Sequence, residues 1–108
     1  MIANLSGTPS RLCQKAILAT STTLYTAQPD GRTCILDIIL CNTTSSAITV
    51  NLCIGSIATA NAIAYGLNLA PNSTTQIDGF VMLNVNEVLV ASASATGVTA
   101  TICGLERV

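Results

Sequence analysis

The sequence predicts an all-β protein built as an antiparallel β-sandwich, and three observations predict it. Stretches of strand length and strand composition recur about every 8–12 residues. Clusters of Pro, Gly, Asn and Ser separate them, and no stretch keeps a helical period. About seven to eight short strands in this rhythm imply a jelly-roll or immunoglobulin-like sandwich, with an extended or partly helical N-terminal arm.

The elements follow in order. Residues 1–18 stand outside the strand rhythm: "SGTPSR" is turn-like, and "RLCQKAIL" suits one or two helical turns or an extended arm. The expected organisation is therefore an arm over 1–18 and a single sandwich domain over 19–108. Strands are expected at 22–27, 33–41, 47–54, 62–69, 74–77 continuing to 80–83, 87–93 and 98–103. Between them "QPDGR", "NTTSS", "APNS", "NVN" and "SATG" supply turn chemistry: Pro fixes φ, and Gly and Asn accept positive φ. Two strands alternate cleanly. Ile48, Val50, Leu52 and Ile54 share one face of the third strand, and Val98, Ala100 and Ile102 share one face of the last. Residues 33–41, "TCILDIILC", are apolar on both faces except at Asp37, which predicts a central strand covered on both sides, one cover being a neighbouring subunit.

Composition narrows the function. Only 8% of the residues are charged, against about 25% in ordinary soluble domains. Thr, Ser, Asn and Ala must then cover the surface, which suits packing against other proteins more than life as a free monomer. A net charge of −1 offers no basic face for nucleic acid. The apolar runs fall short of the roughly 18–20 residues that cross a bilayer, and the N-terminus lacks the pattern of a secretory signal. The expectation is a soluble protein made in a reducing cytoplasm, with no nucleic acid and no membrane as partner.

The five cysteines invite a chemical reading that spacing resists. Cys34 and Cys41 have opposite parity and lie about 23 Å apart along an unbroken strand, so they neither bridge nor share a metal. Cysteines 13, 34, 41, 53 and 103 contain no CxxC pair, and the chain has no histidine, so zinc is not expected. Cys34 and Cys41 read as small buried apolar residues; a disulfide between Cys53 and Cys103 is the weaker alternative. Without histidine no Ser-His or Cys-His nucleophile exists, and no enzyme and no cofactor are expected. Asp30 and Asp78 read as turn formers in "PDG" and "DG". Asp37, inside an apolar strand, needs a partner, expected among Arg32, Arg11, Lys15 and backbone donors. The sequons at Asn4, Asn42 and Asn72 read as markers of exposed turns. Tyr25, Tyr65 and Phe80 are the whole aromatic supply for stacking on a sugar ring; Tyr65 is the best candidate, with core or rim packing favoured over it.

The segments "TTLYTAQPDGRTCILDIILCNTTSSAITVNL" and "LNLAPNSTTQIDGFVMLNVNEVLVASASATGVTATICGLE" resemble a group of small β-sandwich proteins carried on tailed bacteriophage virions. The likeness covers residues 22–106 and rests on turn and strand signatures: "TLYT", "CNTTSSAITVNL", and the late strand around Glu87. The charge of "QPDGRTC" and the five cysteines depart from it. The resemblance implies a capsid decoration (cement) protein that stabilises the head by bridging capsid subunits. Its partner would be the major capsid protein. It would be a homo-oligomer, such as a trimer, on the virion's capsid surface, assembled in the host cytoplasm. The alternative is a carbohydrate-binding or host-recognition module of a tail or fibre. Interface residues are expected at Arg11, Lys15, Arg32 and Tyr65, with further contacts from residues 1–18 and the loops 28–32, 55–61 and 70–73.

Overall fold

The computed structural model describes residues 9–106, which form eight strands. These are β1 (Ser10–Ile17), β2 (Thr22–Thr26), β3 (Thr33–Asn42), β4 (Ile48–Ile54), β5 (Ala62–Leu69), β6 (Ser73–Leu83), β7 (Val88–Ala93) and β8 (Val98–Glu106). A 3₁₀ turn, Thr59–Asn61, leads into β5. One sheet has the order β1-β8-β3-β6 and the other β2-β7-β4-β5, and all pairings are antiparallel.

That order has a simple origin. β4 pairs with β5, β3 with β6, β2 with β7 and β1 with β8. The chain is one long hairpin closed at its middle. Rolling the hairpin adds the contacts β3–β8 and β4–β7 and divides it into two facing sheets. This is the jelly-roll, of the two sandwich types the sequence allowed.

Alternation drives the roll. Ile48, Val50 and Leu52 of β4 and Val98, Ala100 and Ile102 of β8 are all buried between the sheets, as their period predicts. Each large aliphatic side chain so buried contributes about 1.5–3 kcal/mol. The packed layer completes itself with Leu24, Leu40, Leu69, Leu83 and Leu89.

Three expectations need correction. Residues 10–17 of the expected arm are not an arm but strand β1, paired with β8 from Ser10↔Gly104 to Ile17↔Val98; residues 1–8 of that arm lie outside the described residues. Asp78, expected as a turn former before Gly79, lies instead inside β6, which runs from Ser73 to Leu83 with its register to β3 shifted between Asp78 and Val81. The third concerns β3, which is central but bulged. Ile35 faces Gly104 and Asp37 faces Cys103, so Leu36 has no partner in β8. The extra residue shifts the alternation: Ile35, Ile38 and Leu40 all belong to the core. Parity therefore does not separate Cys34 from Cys41, whereas their distance along β3 does. A β-carbon on Gly104 would run into the Cys34 carbonyl oxygen at this bulge, which is why the close approach falls at a glycine.

The loops sort to the two ends. At one end Ala27 donates to the Glu87 carbonyl and Gly55 to that of Val88, which gathers 27–32, 55–61 and 84–87. At the other end Ala93 donates to Leu18, Thr43 to Gly97 and Asn72 to Thr44. This second end is organised by Asn42, only 1% exposed. Its Nδ2 donates to the carbonyls of Ser46 (2.8 Å), Leu69 (3.2 Å) and Ala70 (3.1 Å). Its Oδ1 accepts from the Thr44 amide (3.0 Å) and hydroxyl (2.8 Å). The Asn42 sequon thus marks a buried tie between two connections and not an exposed turn. Asn72 and Asn86 fill their turns at φ 51° and 65°, in keeping with the turn chemistry expected of them.

Replacing Asn42 with Ala is expected to lower unfolding stability by about 2–4 kcal/mol, because it orphans buried carbonyls. Urea or guanidinium denaturation measures it, and a loss within 0.5 kcal/mol, roughly that of a surface change, would deny the amide this role.

A sheet face and an uncharged end as candidate interaction surfaces

No ligand-sized pocket opens among the described residues, and no three metal-ligating side chains gather there. What the fold offers is surface. The outer face of β1-β8-β3-β6 is laid out in rows by the strand register. Ala16, Thr99, Cys41 and Thr74 form one row, and Gln14, Thr101, Ile39 and Gln76 the next. Arg11, Cys103, Asp37 and Asp78 form the third.

The third row carries unusual electrostatics. Asp37 and Asp78 are direct cross-strand partners, a placement that destabilises two like charges. Gln76 mediates, its Nε2 donating to Asp37 Oδ1 (3.2 Å) and Asp78 Oδ1 (2.9 Å). A hydrogen bond with Asp37, then desolvation, then the Asp37 charge hold the Asp78 carboxyl above its ordinary 3.8, against a smaller lowering by Gln76. The expected partners of Asp37 are thus replaced by a second carboxylate from a strand forty residues on. Neither turn chemistry nor burial explains Asp78: it sits mid-strand and exposed.

The structure does not gather the four expected interface residues, and even Arg11 and Lys15, both on β1, point to opposite faces of it. Arg11 and Lys15 lie exposed on β1, Arg11 Nη1 against Gln14 Oε1 (3.5 Å) and Lys15 Nζ donating to the Thr23 carbonyl (2.9 Å). Arg32 is exposed in the β2–β3 connection. Tyr65 is 55% exposed on β5, at the outer edge of the other sheet, beside exposed Ile63. Core packing of Tyr65 is therefore not what the fold does with it. The expected loops divide likewise, 28–32 and 55–61 at one end and 70–73 at the other.

The two ends differ in charge. The Asn42 end, built from residues 18–21, 43–47, 70–72 and 94–97, contains no charged residue. Asp30, Arg32, Glu87 and Glu106 all belong to the opposite end. There the Tyr25 hydroxyl donates to Glu106 Oε2, which also accepts from Gln28 Nε2 (3.2 Å), tying β2 of one sheet to β8 of the other. Burial and the bond to Glu106 push the Tyr25 phenol up.

All five cysteines are free. Cys34 is fully buried, and burial pushes its thiol up, as it does that of Cys13. Both are thereby made less reactive. Cys53, buried, reaches the Ala58 carbonyl (3.6 Å) in the loop that covers it. It lies in a different sheet from Cys103, so the alternative disulfide is not formed. Cys41 is half-buried on the outer face and not enclosed as expected.

No family model matches the chain, and no curated protein matches it. Among solved structures it is similar to a protein of Bacillus endospore appendages, described as a novel family of disulfide-linked pili. The TM-score is 0.51 at 13% identity, over 92% of this chain and 88% of that one. A chain of infectious bursal disease virus, Gx strain, aligns at TM-score 0.45 and 12% identity, over 93% of this chain and 35% of that one. The first likeness bears on the fold alone.

The carboxylate pair gives a pH prediction. Asp78 binds its proton more tightly folded than unfolded. Its contribution to stability is therefore present below about 3.8 and lost as pH rises through the higher folded value. Asp78→Asn is expected to raise the melting temperature of dilute protein at neutral pH, with the gain over wild type vanishing near pH 3. Equal melting temperatures at both pH values would remove the repulsion from the account.

Proposed function

We propose that this protein is a structural subunit of a surface assembly, in first place a capsid decoration protein of a tailed bacteriophage that bridges capsid subunits. The observation that carries the reading is the uncharged, amide-pinned end of the sandwich. Docking through it removes no charge from water, so the desolvation penalty that weakens charged interfaces is absent. Asn42 holds its loops in one shape before any partner arrives, which reduces the ordering cost of binding. A subunit that binds the assembled shell and not its separated parts stabilises that shell by mass action. The phage resemblance over residues 22–106 and the scarcity of charge support the same reading, and the partner is then the major capsid protein.

Undecorated capsids of the source phage, incubated with the purified protein and sedimented, test this. Saturable co-sedimentation and a higher capsid disruption temperature are expected. Protein that stays in the supernatant and leaves that temperature unchanged would refute the proposal.

A second reading has its own observation. Cys41 and Cys103 lie half-buried on the outer face of β3 and β8, and a similarly sized chain of this fold builds disulfide-linked pili in Bacillus endospore appendages. In that reading the chain polymerises into an appendage with inter-subunit disulfides. Native assemblies run on non-reducing gels discriminate: ladders collapsed by reductant favour the appendage, and monomer under both conditions excludes the cross-links.

A further inference from the structure

We propose that the outer face of β1-β8-β3-β6 is a self-association surface, on which a second copy of this chain packs about a two-fold axis running along the strands. The argument starts from the third row of that face. Arg11 stands at its β1 edge, and Asp37 and Asp78 stand at the β3–β6 side. Three strand spacings, about 14 Å in total, separate Arg11 from Asp78. An arginine and an aspartate side chain do not span that distance together, and within its own chain Arg11 meets Gln14 instead.

A cation and a carboxylate pair that cannot meet within one chain can meet between two. A two-fold axis along the strands, between β8 and β3, lays each row over the same row of the partner in reverse order. Arg11 then stands over Asp78 of the second copy and Cys103 over its Asp37. The middle row puts Gln14 over Gln76, two amides able to exchange hydrogen bonds, and Thr101 over Ile39. An axis across the strands would instead set the charged row against Ala16, Thr99, Cys41 and Thr74, with no charge to answer it. The charge pattern therefore selects one isologous arrangement. At the centre of the face are Ile39, Cys41 and Cys103, the less polar positions, while Arg11, Gln14, Gln76 and Asp78 form an exposed polar rim, as in specific interfaces.

Docking also answers the repulsion between Asp37 and Asp78, since two guanidinium groups face four carboxylates across the dimer. Within the chain the groups beside the pair are Gln76 on β6 and Cys103 on β8, and across the dimer the second copy's Arg11 faces it. Arg11 favours ionised Asp78, so association releases protons, strengthens as pH rises through the Asp78 titration and weakens on acidification. A four-strand face lies at the small end of specific interfaces, and the association is concentration-dependent.

Sedimentation equilibrium of the wild type, Arg11→Asp, Asp78→Arg and the double variant tests the proposal. Both positions are exposed, and circular dichroism with melting temperatures verifies that the variants fold. The wild type is expected to form dimers at neutral pH. Each single variant should weaken the dimer about tenfold or more, and the double variant should restore it to within about threefold of wild type. A wild type that stays monomeric, or singles that dimerise normally, or a double variant no better than either single, would overturn it. Capsid co-sedimentation of Arg11→Asp separates this from the decoration reading: retained capsid binding with a lost dimer leaves that reading intact, and a dimer without capsid binding leaves only this one.

Discussion

A buried amide is costly unless each of its donors and acceptors is used, and the order of one whole end of this molecule depends on Asn42 meeting that condition. Its donors reach three carbonyls in two connections, and its acceptor holds the turn that leaves β3. The third connection joins through Thr43, whose amide (3.0 Å) and hydroxyl (2.8 Å) both donate to Gly97. Gly97 has a φ of 118°, and a β-carbon there would strike the Thr44 side chain. The loops are thus fixed by short polar contacts and need no ion pair. That is how this end can dispense with charge and still hold one shape.

Part of the charge that remains is placed where no described cation answers it. Two carboxylates are set face to face across β3 and β6, with only a glutamine between them. Sheets ordinarily avoid such pairs. Surface salt bridges contribute little to stability, so nothing about folding requires acids at these two positions. An acidic pair on a flat outer face, with its complementary cation at the far edge of the same row, has the pattern expected of recognition between surfaces, where charge fixes register and orientation more than affinity.

The sequence made most of the strands legible because one face of each is buried, and period-two burial survives over Ile48–Leu52 of β4 and Val98–Ile102 of β8. β1 was not legible. "SRLCQKAI" lies at a sheet edge, its outer face is polar, and a bulge between Arg11 and Cys13 breaks the alternation. The dipeptide Asp78-Gly79 carries the chemistry of a turn, yet pairing with β3 on both sides of it holds the chain extended. Register decides such cases, and register is non-local. Asp37 finds Asp78 only because β3 and β6 are matched across the rolled hairpin, which no spacing along the chain reveals. The bulge at Leu36 had the same effect on the cysteines, moving Cys34 relative to Cys41 in a way parity alone could not anticipate.

The central strand therefore holds the fold's conflict as well as its core. β3 is hydrogen-bonded on both edges and ends at Asn42, so its inner face and its last residue are committed to the sandwich and the loops. Its outer face, with Asp37, Ile39 and Cys41, is half-buried and bears a charge that no described cation meets. A strand fixed so firmly cannot relieve that charge by shifting register, because a one-residue slip would turn its core face outward. Relief has to come from outside the sheet, as a proton or as a cation on another surface. The rigidity that makes β3 a scaffold is what turns an unfavourable carboxylate pair into a fixed feature that a partner can recognise.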